Sequence, residues 1–258
     1  MSISVANTKV SSIESDPHYE VRVQLSAVFR MSARLGMHEA VANHFSYAVS
    51  DDGNQFLVNP KGRHFSNMRA SDLLLVDAKN DATMDEPNAP DPTAWAIHGA
   101  MHRNVSHARC VLHLHPEYST VLASLHQNGL EPIDQNAMRY FNRLAIDDEF
   151  GGMGLGDEAE RLTTVLGGHH VLLMGNHGVM TVGSTIGRAF DEMVYFEKAC
   201  SNYIKALMTG KPLRVVSDEV AEKTAKQWDR FIDESGVVDQ HLAEICEILD
   251  REEPEYRL

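Results

Sequence analysis

Two imidazoles stand one residue apart in Val111-Leu-His-Leu-His-Pro116, at the end of an apolar run. Residues i and i+2 of a strand project from one face, so His113 and His115 are expected side by side. A third ring, His177, lies in Gly175-Asn-His-Gly178 after another apolar run. Flanking glycines permit positive φ or close backbone approach, so such a turn can present one imidazole at the end of a sheet. Three neutral imidazoles with an open position are a common divalent-metal arrangement, zinc first, with iron and manganese also suited. The same residues have a plainer reading. Among 14 histidines a His-x-His pair arises by chance, and a histidine in a glycine turn is often only a cap. Spacing alone leaves both readings open.

The elements that must carry these residues can be read from periodicity. Val21, Leu25, Val28, Phe29 and Leu35 recur at helical spacing, and Gly36 suits a C-cap. Residues 45–49 and 55–58 read as strands joined by Asp51-Asp-Gly-Asn54, a hairpin signal. Residues 72–77 read as a further strand, and the polar, proline-containing segment 79–92 as a surface loop. A helix is expected over 93–105 with Thr93 as N-cap, then the strand 110–115, then a helix opened by Pro116. A short helix over 158–166 precedes strands at 171–174 and 179–182. Ser184 is placed to cap a long helix that Gly210 and Pro212 stop. Two amphipathic stretches, 220–232 and 238–249, form a helical C-terminal extension. The pattern predicts one α/β domain over residues 19–258, with a mixed, mainly antiparallel sheet flanked by helices, after a flexible lead-in over 1–18.

The chain has 258 residues, 43% hydrophobic and 23% charged, which is ordinary globular composition. Its net charge of −14 argues against non-specific nucleic-acid or anionic-membrane partners. The acidic stretch from Asp250 to Glu255 reads as a solvated tail. No apolar run approaches the roughly 20 residues of a membrane helix. The N-terminus lacks the pattern of a signal peptide, and the expected location is cytoplasmic. Cys110, Cys200 and Cys246 are widely spaced and suggest no disulfide framework.

Five short stretches add a more specific reading. Ala42-Asn43-His44-Phe45-Ser46, Asn59-Pro60-Lys61-Gly62, Pro92-Thr-Ala-Trp-Ala-Ile-His98, His113-Leu-His115 and Gly175-Asn-His177-Gly178 occur in an order that resembles the class II aldolase/adducin-like family. The resemblance covers about residues 19–209. It implies a three-layer αβα sandwich and makes His113, His115 and His177 the metal ligands. It also implies a homotetramer with sites at subunit boundaries, and substrate contacts from Asn43, Ser46, Lys61, Gly62 and Thr93. The chain departs from the sugar-phosphate aldolases where they place a catalytic acid in a Pro-Ser-Ser-Glu-type segment. Here that segment is Asp91-Pro92-Thr93-Ala94, so the acid position is Ala94 and one phosphate-binding serine is Pro92.

Two functions follow from that resemblance. The first is a metal-dependent carbon–carbon lyase, of aldolase or decarboxylase type, acting on a small non-phosphorylated hydroxy-carbonyl, hydroxy-acid or dihydroxyaromatic substrate. Lys61 is then suited to a substrate carboxylate, and the catalytic acid/base is unknown. The second is a non-catalytic, adducin-like assembly domain with a retained structural metal. Other residues have plainer expectations. His98 and His102, four apart on one helix face, read as packed or supporting residues. Tyr140 reads as core, Asp157 and Arg161 as an i,i+4 ion pair, and His169-His170 as solvent-facing.

Overall fold

Apolar residues that alternate in short runs build one sheet, and the helical stripes cover its two faces. The computed structural model describes residues 13–86, 88–126, 128–152 and 154–258. The lead-in expected over residues 1–12 lies outside the described residues, whereas residues 13–18 form turns in which Asp16 binds Arg22 at 2.9 Å. Helix α1 (Tyr19–Arg34) leads to β1 (His44–Ala48), β2 (Gln55–Val58) and β3 (Leu74–Asp77). Then follow α2 (Pro92–Asn104), β4 (Cys110–Leu114), α3 (Glu117–Ala123), α4 (Gln135–Arg139), β5 (Leu144–Asp147) and α5 (Asp157–Leu166). Strands β6 (Val171–Met174) and β7 (Gly178–Gly183) precede α6 (Ile186–Met208), α7 (Asp218–Ser235) and α8 (Val237–Glu252). Among the described residues no helix is long and apolar enough to cross a membrane.

The seven strands run in the order β3-β2-β1-β4-β7-β6-β5. All pairs are antiparallel except β5 with β6, which gives the mixed, mainly antiparallel sheet read from the sequence. On one face Phe45, Leu112, Leu114 and Val179 meet Phe29, Phe190 and Phe196 from α1 and α6. On the other, Val111, Leu172 and Met180 meet Ile97, Met101 and Leu162 from α2 and α5. Each such fully buried side chain contributes roughly 1.5–3 kcal/mol through the hydrophobic effect. Strand β4 lies between β1 and β7, and its register sets His44 opposite His113 and Leu114 opposite Val179.

Several local expectations are corrected. Helix α2 begins at Pro92, and its cap is Asp91, whose carboxylate accepts from Thr93 N. Proline at N1 has no N–H to leave unsatisfied, so the cap falls one residue before it. The cap of α6 is Thr185 in place of Ser184. Segment 79–92 includes a 3₁₀ turn at Asp81–Asp85. Strand β5 was not expected, because four residues in a parallel pair show too little alternation. Arg161 pairs with Asp147 at 2.5 and 2.9 Å instead of Asp157, since Asp147 is buried and holds it in place. His170 is only partly exposed and its Nδ1 donates to Val182 O at 3.0 Å. The acidic stretch near the C-terminus is a clamp: Glu253 and Glu255 bind Arg30 at 2.6 and 2.8 Å, and Glu252 binds Arg34 at 2.7 Å.

Candidate metal centre

The ladder that pairs β4 with β7 brings the three expected histidines together. One ring nitrogen from each of His113, His115 and His177 lies within 4.8 Å of the other two. His113 is the penultimate residue of β4 and is almost completely buried; His115 lies just beyond the strand. His177 comes from the β6–β7 turn, where Asn176 adopts φ 57°. The next residue must be glycine: a Cβ on Gly178 would stand 2.5 Å from His115 Cδ2 and 2.7 Å from Leu114 O.

Hydrogen bonds fix which nitrogens face inward. Val179 O can only accept, so Nδ1 of His113, 3.1 Å away, carries a proton. Glu39 Oε2 accepts in the same way from Nδ1 of His115 at 2.5 Å. With both Nδ1 positions protonated, the neutral rings present bare Nε2 atoms to one another at 3.1 Å. Two lone pairs at that distance repel unless a cation lies between them and the third imidazole. Burial lowers the pKa of His113 and His177, with neighbouring imidazoles adding to the shift, and this keeps the rings neutral as metal ligation requires. The donor set therefore fits a divalent ion, and the bonds to Val179 and Glu39 are of the kind that orients histidines around a metal.

The remaining expected residues occupy different surroundings. Thr93 Oγ1 donates to Asp91 Oδ1 at 2.7 Å and lies 3.4 Å from His44 Nε2. Lys61 is two-thirds exposed, 3.8 Å from Asp91, with Gly62 beside it at φ 78° in open space. Asn43 is buried, and its Oδ1 accepts from Glu39 N at 2.6 Å, so it braces the loop that carries Glu39. Ser46 is fully buried, and its hydroxyl bonds both His98 and His102. Ala94 is fully buried in an apolar cluster with Ala48, Phe56, Val58 and Val76. Phe150, half exposed, stands 6.2 Å from the His177 ring, edge to face.

Sequence reasoning missed two neighbours, Glu39 and His44. Glu39 is an exposed acid in a loop and carries no local signal. The His44 ring lies 4.9 Å from that of His113, a consequence of register that no local spacing displays. Tyr140 is core, its hydroxyl donating to Glu192 O at 3.1 Å. Tyr195 packs on Trp228, and Tyr203 donates to Glu131 at 3.2 Å.

Comparison with known proteins places this architecture. The model of the class II aldolase and adducin N-terminal domain matches residues 23–204. The chain belongs to the class II aldolase and adducin family. A relative from Caulobacter vibrioides, named for aldolase class 2, is 30% identical over 214 residues, covering 83% of this chain and 82% of that one. The decarboxylase NovR of Streptomyces niveus is 29% identical over 204 residues, covering 78% and 75%. Human β-adducin is 28% identical over 190 residues, covering 72% of this chain and 26% of adducin. Among solved structures, an aldolase II superfamily protein from Pseudomonas syringae superposes with a TM-score of 0.84 at 29% identity, covering 95% and 97%.

Proposed function

We propose that this protein is a divalent-metal-dependent carbon–carbon lyase for a small, non-phosphorylated hydroxy acid or dihydroxyaromatic carboxylate, with decarboxylation as the favoured reaction. The observation that carries this reading is the pairing of three convergent imidazoles with an acid-free position at Ala94. A divalent ion, zinc first, would be held by these three imidazoles and would supply an electron sink for carbon–carbon bond cleavage. Decarboxylation starts from an ionised carboxylate and needs no base to remove a hydroxyl proton, so the methyl group at Ala94 is no obstacle.

The chain's own residues then bind and orient. His113, His115 and His177 hold the ion, with Glu39 and Val179 O fixing two of the rings. Lys61, exposed beside the site, reaches a substrate carboxylate in exchange for its long contact with Asp91. Phe150 offers an apolar wall that suits an aromatic substrate. Thr93 alone keeps a hydroxyl where a phosphate cradle would need more. Assembly as a homotetramer in the cytoplasm completes the reading, with a neighbouring subunit as the source of a proton donor. The kinship with β-adducin favours a second reading, a non-catalytic assembly domain with a structural metal.

One experiment separates them. The purified protein is analysed for metal and supplied with hydroxy acids and dihydroxyaromatic carboxylates, with released carbon dioxide or aldehyde measured. Stoichiometric metal with turnover supports the lyase; stoichiometric metal with no turnover of any of them supports the assembly domain.

A further inference from the structure

A hydrogen-bonded series runs through the buried face of α2 and ends beside the three histidines. Its direction is set at the far end. The carbonyl of Ala108 has no proton, so Nδ1 of His102, 2.7 Å away, must donate. Burial lowers the pKa of His102 to about 4, which leaves the ring neutral and its Nε2 bare. Ser46 Oγ lies 2.7 Å from that nitrogen and donates to it. A hydroxyl has one proton, so Ser46 can only accept from Nδ1 of His98, its other partner. A charge on His98, fully buried between Ser46 and His44, would have no carboxylate among its hydrogen bonds. Its Nε2 is therefore bare and accepts from Nδ1 of His44 at 2.7 Å. The series runs one way, from His44 through His98, Ser46 and His102 to Ala108, and leaves Nε2 of His44 without a proton.

That nitrogen meets a second acceptor. Thr93 Oγ1 is 3.4 Å away, but its proton is engaged with Asp91 at 2.7 Å. Two lone pairs thus face each other with no hydrogen between them, one ring away from His113. Such a pair calls for a donor from outside the chain.

We propose that His44 Nε2 and Thr93 Oγ1 together receive a hydroxyl group of the substrate, and that His98, Ser46 and His102 are positioning residues that hold His44 in the accepting tautomer. The tautomer stands on the hydrogen-bond geometry together with the burial that keeps His102 neutral; the substrate half rests on the hydroxy-acid lyase reading. His44 then selects substrates that bear a free hydroxyl over their ethers.

Nitrogen NMR of the ¹⁵N-labelled, metal-free protein tests the tautomer. The expected spectrum has His44 protonated at Nδ1 and bare at Nε2, and Ser46→Ala mixes the two tautomers. A proton on Nε2 in the unaltered protein, or a well-folded Ser46→Ala variant with His44 unchanged, overturns the relay. If Ser46→Ala does not fold, the spectrum of the unaltered protein still decides. The zinc-loaded protein is then titrated with glycolate and with methoxyacetate. Glycolate is expected to bind about ten-fold more tightly and to shift the His44 Nε2 signal, as the loss of one hydrogen bond predicts. Thr93→Val, at a partly exposed position, is expected to reduce that preference. Equal affinities, or no response of His44 to glycolate, overturn the substrate half. Failure to take up zinc removes the lyase reading and the substrate half with it, and leaves the tautomer result intact.

Discussion

Glu39 Oε2 lies 2.5 Å from Nδ1 of His115, and the other nitrogen of that ring faces His113. The contact orients the ring and keeps its inner nitrogen free. The Glu39 side chain is 61% exposed, so removing the carboxylate leaves the fold undisturbed. Glu39→Ala is expected to lower zinc affinity about 10- to 100-fold, measured by competition with a chelator. An unchanged affinity with an unchanged melting temperature would make the carboxylate a bystander.

The three rings converge as a set, so loss of one should empty the centre. His177 belongs to a surface turn and is the safest to replace. His177→Ala is expected to keep its circular dichroism spectrum and to lose stoichiometric metal. A full complement of metal in that variant rules out the three-histidine centre.

Gly178 tests the closeness of the turn to His115. Gly178→Ala drives a methyl group against backbone oxygen and ring carbon, a clash that costs about 1–3 kcal/mol and displaces His115. Both the melting temperature and the metal affinity should fall. Gly168→Ala, with no atom within 4 Å of the added carbon, is the control expected to leave both unchanged.

Buried histidines make the metal-free protein sensitive to acid. His102 has its pKa lowered to about 4 from 6.5, and His98 is lowered well below 6.5, in each case chiefly by burial. Between these values the unfolded chain binds protons that the folded chain refuses. Stability is therefore fully present above about pH 6.5 and is lost as pH falls toward 4, by roughly 1.4 kcal/mol per pH unit for each such histidine. Urea denaturation at several pH values reads the slope, and a flat profile over that window contradicts the assignment.

Sugar phosphates probe the acid-free position. Fuculose 1-phosphate is expected to be cleaved poorly or not at all. Ala94→Glu should not repair this, because the new carboxyl would enter the apolar cluster of Phe56, Val58 and Val76 at a cost of about 2–5 kcal/mol. A stable, active Ala94→Glu variant would overturn this account of the site.

The three histidines were legible because each part has a local signature, a His-x-His pair at the end of one strand and a glycine turn after another. The antiparallel strands were legible as short apolar runs bounded by turn residues, among them the Asp51–Asn54 hairpin. What remained hidden depends on distant chain segments. His44 acquires its place only through cross-strand register with His113, and Glu39 only because Asn43 braces its loop. Ser46 looked like a ligand-binding hydroxyl until α2 was packed over it, with His98 and His102 taking both of its hydrogen bonds. Arg161 chose Asp147, on another element, over Asp157 in its own helix. Periodicity describes faces; it does not say which faces meet.

The packing around Ala94 gives the chain a direction in sequence space. Here the side chains of Phe56, Val58 and Val76 have closed over a methyl group. A carboxyl at this position would first require Phe56, Val58 or Val76 to be loosened, and each of those changes removes buried apolar packing. An acid at position 94 is therefore opposed by its surroundings, and a single substitution does not install it.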